Sequence, residues 1–132
     1  MSVVVGYVAT PEGASALDAA LTEARRRGVP LVVVLSERGQ RFGSEPSDLE
    51  QNVQEVTARL ADTGVPFEVR QTARGRDVAD DIIGAAVEQS AELIVIGLRR
   101  RSPVGKLILG SNAQRILLDA PCPVLAVKPQ PA

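Results

Sequence analysis

Residues Val3 to Leu35 read VVVGYVATPEGASALDAALTEARRRGVPLVVVL, and this stretch decides the fold. It opens on a β-branched run, Val3 to Val8, that passes into Ala-Thr-Pro-Glu-Gly13, a strand followed by a turn. From Glu12 to Arg27 the residues Ala14, Leu17, Ala20, Leu21 and Ala24 recur at the helical period, so the segment is an amphipathic helix. Arg25, Arg26 and Arg27 fill its last turn and Gly28 is placed to close it. Leu31 to Leu35 is a second strand, apolar at every position. A strand without polar alternation needs both faces covered, which is the condition of a parallel sheet between helices.

Working outward, the alternation continues. Residues 36–46 are polar and Gly-bearing, hence loop. Ser47, with Glu50 three residues on, has the capping-box spacing and predicts a helix presenting Leu49, Val53, Val56 and Leu60 on one face as far as Gly64. Pro66 to Gln71 alternates and predicts a half-exposed strand at a sheet edge. Asp77 predicts the cap of a third helix with Val78, Ile82, Ala85 and Ala86 inward. Leu93 to Ile96, ending at Gly97, is the most apolar strand. A fourth helix is expected from Ser111 to about Asp119 with Ile116 and Leu117 buried, then a last strand from Cys122 to Val127. Five strands joined by right-handed crossovers make an α/β fold, a single doubly wound domain over residues 1–132 with helices on both faces of a parallel sheet.

Composition narrows the chemistry. The chain has 132 residues and a net charge of -1, a balance that argues against a nucleic-acid partner. It has no His and no Trp, and its aromatics are Tyr7, Phe42 and Phe67. Without imidazole the usual triads are excluded, and the single thiol, Cys122, cannot build a zinc site alone. Nothing near Cys122 would activate it, so a small core residue is expected there. No signal peptide is visible, no apolar run approaches the ~20 residues of a membrane span, and one Cys cannot close an internal disulfide. The expectation is a cytoplasmic protein away from the membrane.

Ligands of open α/β sheets bind beyond the carboxyl ends of the strands. There the connection from Gly97 to Ser111, GLRRRSPVGKLILGS, is longer than most in compact domains. Arg99, Arg100 and Arg101 offer forked donors, and Gly110-Ser111 opens a helix whose N-terminus attracts anions, with Asn112 beside it. These features fit nucleotide phosphates, although a solvated basic patch and an ordinary helix cap would read the same way. Gly105-Lys106 does not belong to a Walker A loop, because that pattern needs Gly at position 100 and Ser or Thr at 107, where Arg100 and Leu107 stand. A phospho-acceptor site would want acids after the first strand, where Tyr7-Val8-Ala9 stands. A flavin site would want aromatics that the chain lacks. Asp80 and Asp81 are helix neighbours that diverge by ~100° and cannot form one dyad.

The spacing from Gly97 to Gly110-Ser111, followed by Ala120-Pro-Cys-Pro-Val-Leu-Ala-Val127, resembles the C-terminal signature of the universal stress protein family. Val3 to Glu12, Gly75 to Ile82 and Ala91 to Gly97 resemble that family's first strand and loop, third-helix start and fourth strand. The resemblance implies a sheet of order 3-2-1-4-5 and a homodimer joined through the last strand, residues 122–127. It also implies a site for ATP or a related adenine nucleotide, with Mg²⁺ as its accompanying ion. The family's ATP-binding pattern is Gly-x2-Gly-x9-Gly-Ser/Thr with an Asp closing the first strand. Gly97, Gly110 and Ser111 match, whereas Arg100 replaces the second Gly and Val8 replaces the Asp. By the same resemblance Ser36 occupies an adenine-contacting position, with the base expected over Tyr7, Val8 and Ser36 and the phosphates near Gly97, Arg99, Arg100 and Ser111. The function so implied is a stress-response regulator that binds nucleotide, acts on an unidentified protein partner and catalyses nothing efficiently. The alternative is a dimeric protein-interaction module without nucleotide.

Overall fold

A computed structural model describes residues 1–35, 46–71, 77–98 and 110–129. The order of elements is β1 (Ser2–Tyr7), α1 (Pro11–Arg27), β2 (Leu31–Leu35), α2 (Pro46–Ala61), β3 (Phe67–Gln71), α3 (Val78–Glu88), β4 (Ala91–Gly97), α4 (Ser111–Asp119) and β5 (Val124–Val127). The strands form one parallel sheet in the order β3-β2-β1-β4-β5, the expected doubly wound arrangement.

Register does the sorting. Val3 lies beside Leu31 and Leu93, Val4 beside Val32 and Ile94, and Val5 beside Val33 and Val95. Side chains alternate across a strand, so aligned parallel neighbours deliver two apolar layers. Val3, Val5 and Tyr7 join Leu31, Val33, Leu35, Leu93 and Val95 on the face covered by Leu17, Ala20 and Ala24 of α1 and Val56 and Leu60 of α2. Val4 joins Val32, Val34, Ile94 and Ile96 under Ala79, Ile82 and Ala85 of α3 and Ile116 of α4. The edge strand β3 is half-exposed as its alternation predicts. Its Arg70 donates to both carboxylate oxygens of Glu88 on α3, at 2.9 and 3.2 Å, and to Glu68 at 2.9 Å.

Helix ends differ from expectation in instructive ways. Pro46 starts α2, the first-turn position where a missing N–H costs nothing, so Ser47 lies inside the helix and not at its cap. Asp77 occupies the cap position of α3 but makes no capping bond; its carboxylate is 3.8 Å from Arg115 on α4. The short helix α4 buries only Ile116, leaving Leu117 42% exposed, because a neighbour on a helix points ~100° away. The last strand starts at Val124, after Pro121 and Pro123, rather than at Cys122. Among the described residues no helix is long and apolar enough to cross a membrane.

Ile94→Ala should cost about 2–5 kcal/mol, the range for emptying a fully buried aliphatic site. Leu118→Ala, at a position 83% exposed, should stay within about 0.5 kcal/mol of the wild type. Urea unfolding of both variants checks the assignment, and equal losses would contradict it.

Candidate functional site

The chain leaves β1 toward β2 and β3 on one side, then returns to β4 on the other. The strand order therefore reverses between β1 and β4, and the crevice beyond their carboxyl ends is where this architecture binds ligands. Parallel strands require every connecting helix to run back across the sheet, so α1 and α4 both begin at that edge.

At the first wall, β1 ends at Tyr7 and the chain turns through Val8, Ala9 and Thr10. The Thr10 N–H donates to the Val8 carbonyl at 2.9 Å, and the Gly13 N–H donates to the Thr10 hydroxyl at 3.2 Å. Thr10 thus closes the N-terminus of α1 with its own side chain. Gly13 allows the turn to sit close: a Cβ there would collide with the Val8 carbonyl oxygen and stand 2.8 Å from its carbon. The Tyr7 ring lies in the core under α1 and α2, and burial raises its hydroxyl above the ordinary value, with Glu55 adding to the effect and Arg59 opposing it. What Tyr7 brings to the edge is backbone.

At the opposite wall, β4 ends at Gly97 and the Leu98 N–H donates to the Val127 carbonyl at 2.8 Å. A Cβ on Gly97 would come within 2.5 Å of the Glu12 carbonyl oxygen and 2.9 Å of its carbon. The start of α1 is therefore packed directly on the end of β4, and only glycine fits between them.

The start of α4 is built differently. Gly110 is its cap residue, in extended backbone, with its carbonyl accepting from the Gln114 N–H at 3.0 Å. A glycine has no side chain to return a bond, so among the described residues the first-turn N–H groups have no side-chain cap. Ser111 and Asn112, both exposed, stand in that first turn. Arg115, one turn on, is committed elsewhere: it pairs with Asp80 and lies within 3.8 Å of Asp77 and 3.7 Å of Asp119. Thus Tyr7, Val8, Gly97, Gly110, Ser111 and Asn112 are placed on the strand ends and the α4 start, while Ser36, Arg99 and Arg100 lie outside the described residues.

Two residues that the sequence read as structural lie outside this edge. Cys122 is half-buried against the layer of α3 and α4, and burial pushes its thiol up. Asp80 pairs with Arg115 of α4. Gly13 and Thr10 were not among the candidate site residues read from the sequence. The available signal was a glycine three residues into a helix, where it costs about 1 kcal/mol against alanine and so needs a packing reason.

A family model described as "Universal stress protein family" matches residues 1–128. A universal stress protein of Mycolicibacterium smegmatis is 46% identical over 127 residues, covering 96% of this chain and 97% of that one. Among solved structures, a universal stress protein from Archaeoglobus fulgidus superposes with a TM-score of 0.76 at 35% identity, over 97% of this chain and 98% of that one. Another from the same organism, solved in complex with dAMP, gives a TM-score of 0.72 at 30% identity, over 97% of this chain and 98% of that one.

The close contacts generate a prediction. Gly13→Ala and Gly97→Ala should each destabilise the fold by about 1–3 kcal/mol, since backbone and not a flexible side chain blocks the added methyl. Gly84→Ala, with open space around it on α3, should instead stabilise by about 0.5–1 kcal/mol. Denaturation midpoints distinguish the two classes; a neutral Gly97→Ala would mean α1 does not rest on β4.

Proposed function

The chain belongs to the universal stress protein family, and we propose that it binds an adenine nucleotide at the carboxyl edge between β1 and β4. In this reading the phosphates rest on the N-terminus of α4, and the nucleotide-bound and empty forms act differently on a protein partner without efficient turnover. The observation that carries it is the glycine-capped start of α4, whose first-turn donors have no side-chain cap at the point where ligands of this architecture gather. The relative from Archaeoglobus fulgidus solved with dAMP supports an adenine nucleotide as the class. The base then lies over the ends of β1 and β2, by the backbone of Tyr7 and Val8 and by Ser36, held by aliphatic surface. Arg99 and Arg100, which follow Gly97 in the sequence, are assigned to the phosphates in this reading. Turnover is not expected, because the chain has no His to serve as base and Val8 stands where the family pattern has a carboxylate.

Isothermal titration with ATP, ADP, AMP and cyclic AMP, preceded by assay of denatured extract for co-purified nucleotide, tests this. Binding is expected, and its absence at millimolar ligand overturns the reading. Ser111→Ala should weaken binding about tenfold, the worth of one hydrogen bond to a charged group. Gly110→Asp should leave stability within a few tenths of a kcal/mol, since Asp caps helices as well as Gly, yet weaken binding at least about tenfold by setting a carboxylate against the phosphate. Unchanged affinity in both variants would place the ligand elsewhere.

A homodimer through β5 belongs to the same proposal. This strand lies at the end of the sheet, reads Val-Leu-Ala-Val without a charge, and leaves Leu125 37% exposed. Uncharged edge strands recruit further strands. Light scattering at micromolar concentration should return a dimer, and Leu125→Lys a monomer. A monomeric wild type would sink it.

A further inference from the structure

We propose that Arg115 sets the affinity of the nucleotide site from outside it, by cancelling acids of α3 that would otherwise oppose an anion at the start of α4. The inference rests on the nucleotide-binding reading above. Helices α3 and α4 cover the same face of the sheet, and each starts beyond the carboxyl end of the strand before it. The start of α3 carries Asp77, Asp80 and Asp81. Acids suit the start of their own helix, because they complement its partial positive charge. Toward a phosphate on the neighbouring helix the same acids are repulsive. Helix α4 has one cation to set against them, Arg115.

Each nitrogen of that guanidinium faces a different carboxylate. Nη2 donates to Oδ1 of Asp80, Nη1 lies 3.8 Å from Oδ2 of Asp77, and Nε lies 3.7 Å from Oδ2 of Asp119. Arg115 follows Ser111 by one turn on the same helix face, about 6 Å along the axis. The cluster therefore stands about a Debye length or less from the first-turn donors, close enough for its net charge to be felt there. Stability does not account for it. The four side chains are between 45% and 59% exposed, where ion pairs contribute little, and α4 is seated on its layer by Ile116 and Ala113. What Arg115 changes is the local potential: with it, the acids that α3 turns toward α4 are partly cancelled, and without it they act on the anion in full. Glu12 is the acid of the opposite wall, in the first turn of α1 and against the end of β4. Helix α1 covers the other face of the sheet, so the charge of Glu12 is a constant background to changes at Arg115 and Asp80.

Calorimetric titration of the wild type, Arg115→Gln, Arg115→Lys and Asp80→Asn with AMP and ATP at low salt tests the proposal. Arg115→Gln should weaken ATP about tenfold and AMP less, because the loss scales with the charge of the ligand. Arg115→Lys keeps the charge and should stay within about threefold of the wild type. Asp80→Asn removes an acid, leaves Arg115 in surplus and should tighten ATP about twofold to threefold. The opposite signs separate this role from a structural one. A cluster that only held α4 in place would be broken by either change, and both would weaken AMP and ATP alike. That result, or undiminished affinity in Arg115→Gln, overturns the inference and leaves the nucleotide reading intact. Should Arg115→Gln lower the urea midpoint, Asp80→Asn decides alone: tighter binding supports the inference, and unchanged or weaker binding overturns it. No binding of either nucleotide by the wild type overturns the reading itself, and the inference with it.

Discussion

The pairing of β1 between β2 and β4 is the constraint on which the rest of the molecule depends. It places Val3, Val4 and Val5 wholly out of water, each with an apolar neighbour on either side. An unpaired polar side chain at any of those positions would pay its full desolvation cost. Chemistry is therefore excluded from the body of the sheet and displaced to the strand ends, where Val8, Gly97 and the turn at Thr10 gather. Both helical layers follow from the same register, since each supplies the apolar cover that one set of alternating side chains requires. The helix-to-helix ion pairs, Arg59 with Asp18 and Arg115 with Asp80, lie at the surface and orient helices whose position is already set by burial.

Much of this was legible in the sequence, for identifiable reasons. The strands announced themselves because runs such as Leu31 to Leu35 have no polar residue to place on a wet face. Gly28 marked the end of α1 and does adopt the left-handed conformation, φ 66°, that ends helices. What escaped were features decided by neighbours distant in the chain. Ser47 had the spacing of a capping box, but Pro46 claimed the first helical position. Leu117 is apolar at a position consistent with burial, but α4 packs on its layer through Ile116 and Ala113 and leaves Leu117 42% exposed. Asp77 sits where a cap should, yet Arg115 competes for its carboxylate from a helix 38 residues further along.

The candidate site divides in the same way. Gly97, Gly110 and Ser111 were recognisable by spacing, and the strand order explains why that spacing falls at the right edge. Which of these glycines the fold itself requires could not be read from spacing. Gly97 is required by the carbonyl of Glu12, which would stand 2.5 Å from any Cβ, so its presence would persist in a chain that bound nothing. Gly110 is in extended backbone that any residue could adopt, with φ -71° and ψ 168°. No strain demands glycine there, and serine, aspartate or asparagine would cap the helix at least as well.

Gly110 adopts a backbone conformation open to any residue, yet it brings no capping side chain to its helix. The helix that shares the crevice makes the comparison internal to the molecule. At α1 the same problem of first-turn donors is solved by the Thr10 hydroxyl, 3.2 Å from the Gly13 N–H, and that turn is packed shut against Val8. At α4 the cap side chain is missing, the first-turn residues Ser111 and Asn112 are exposed, and the connection leading in carries four cations without an acid. One helix start is closed by a side chain of its own cap residue; at the other the cap residue has none to offer.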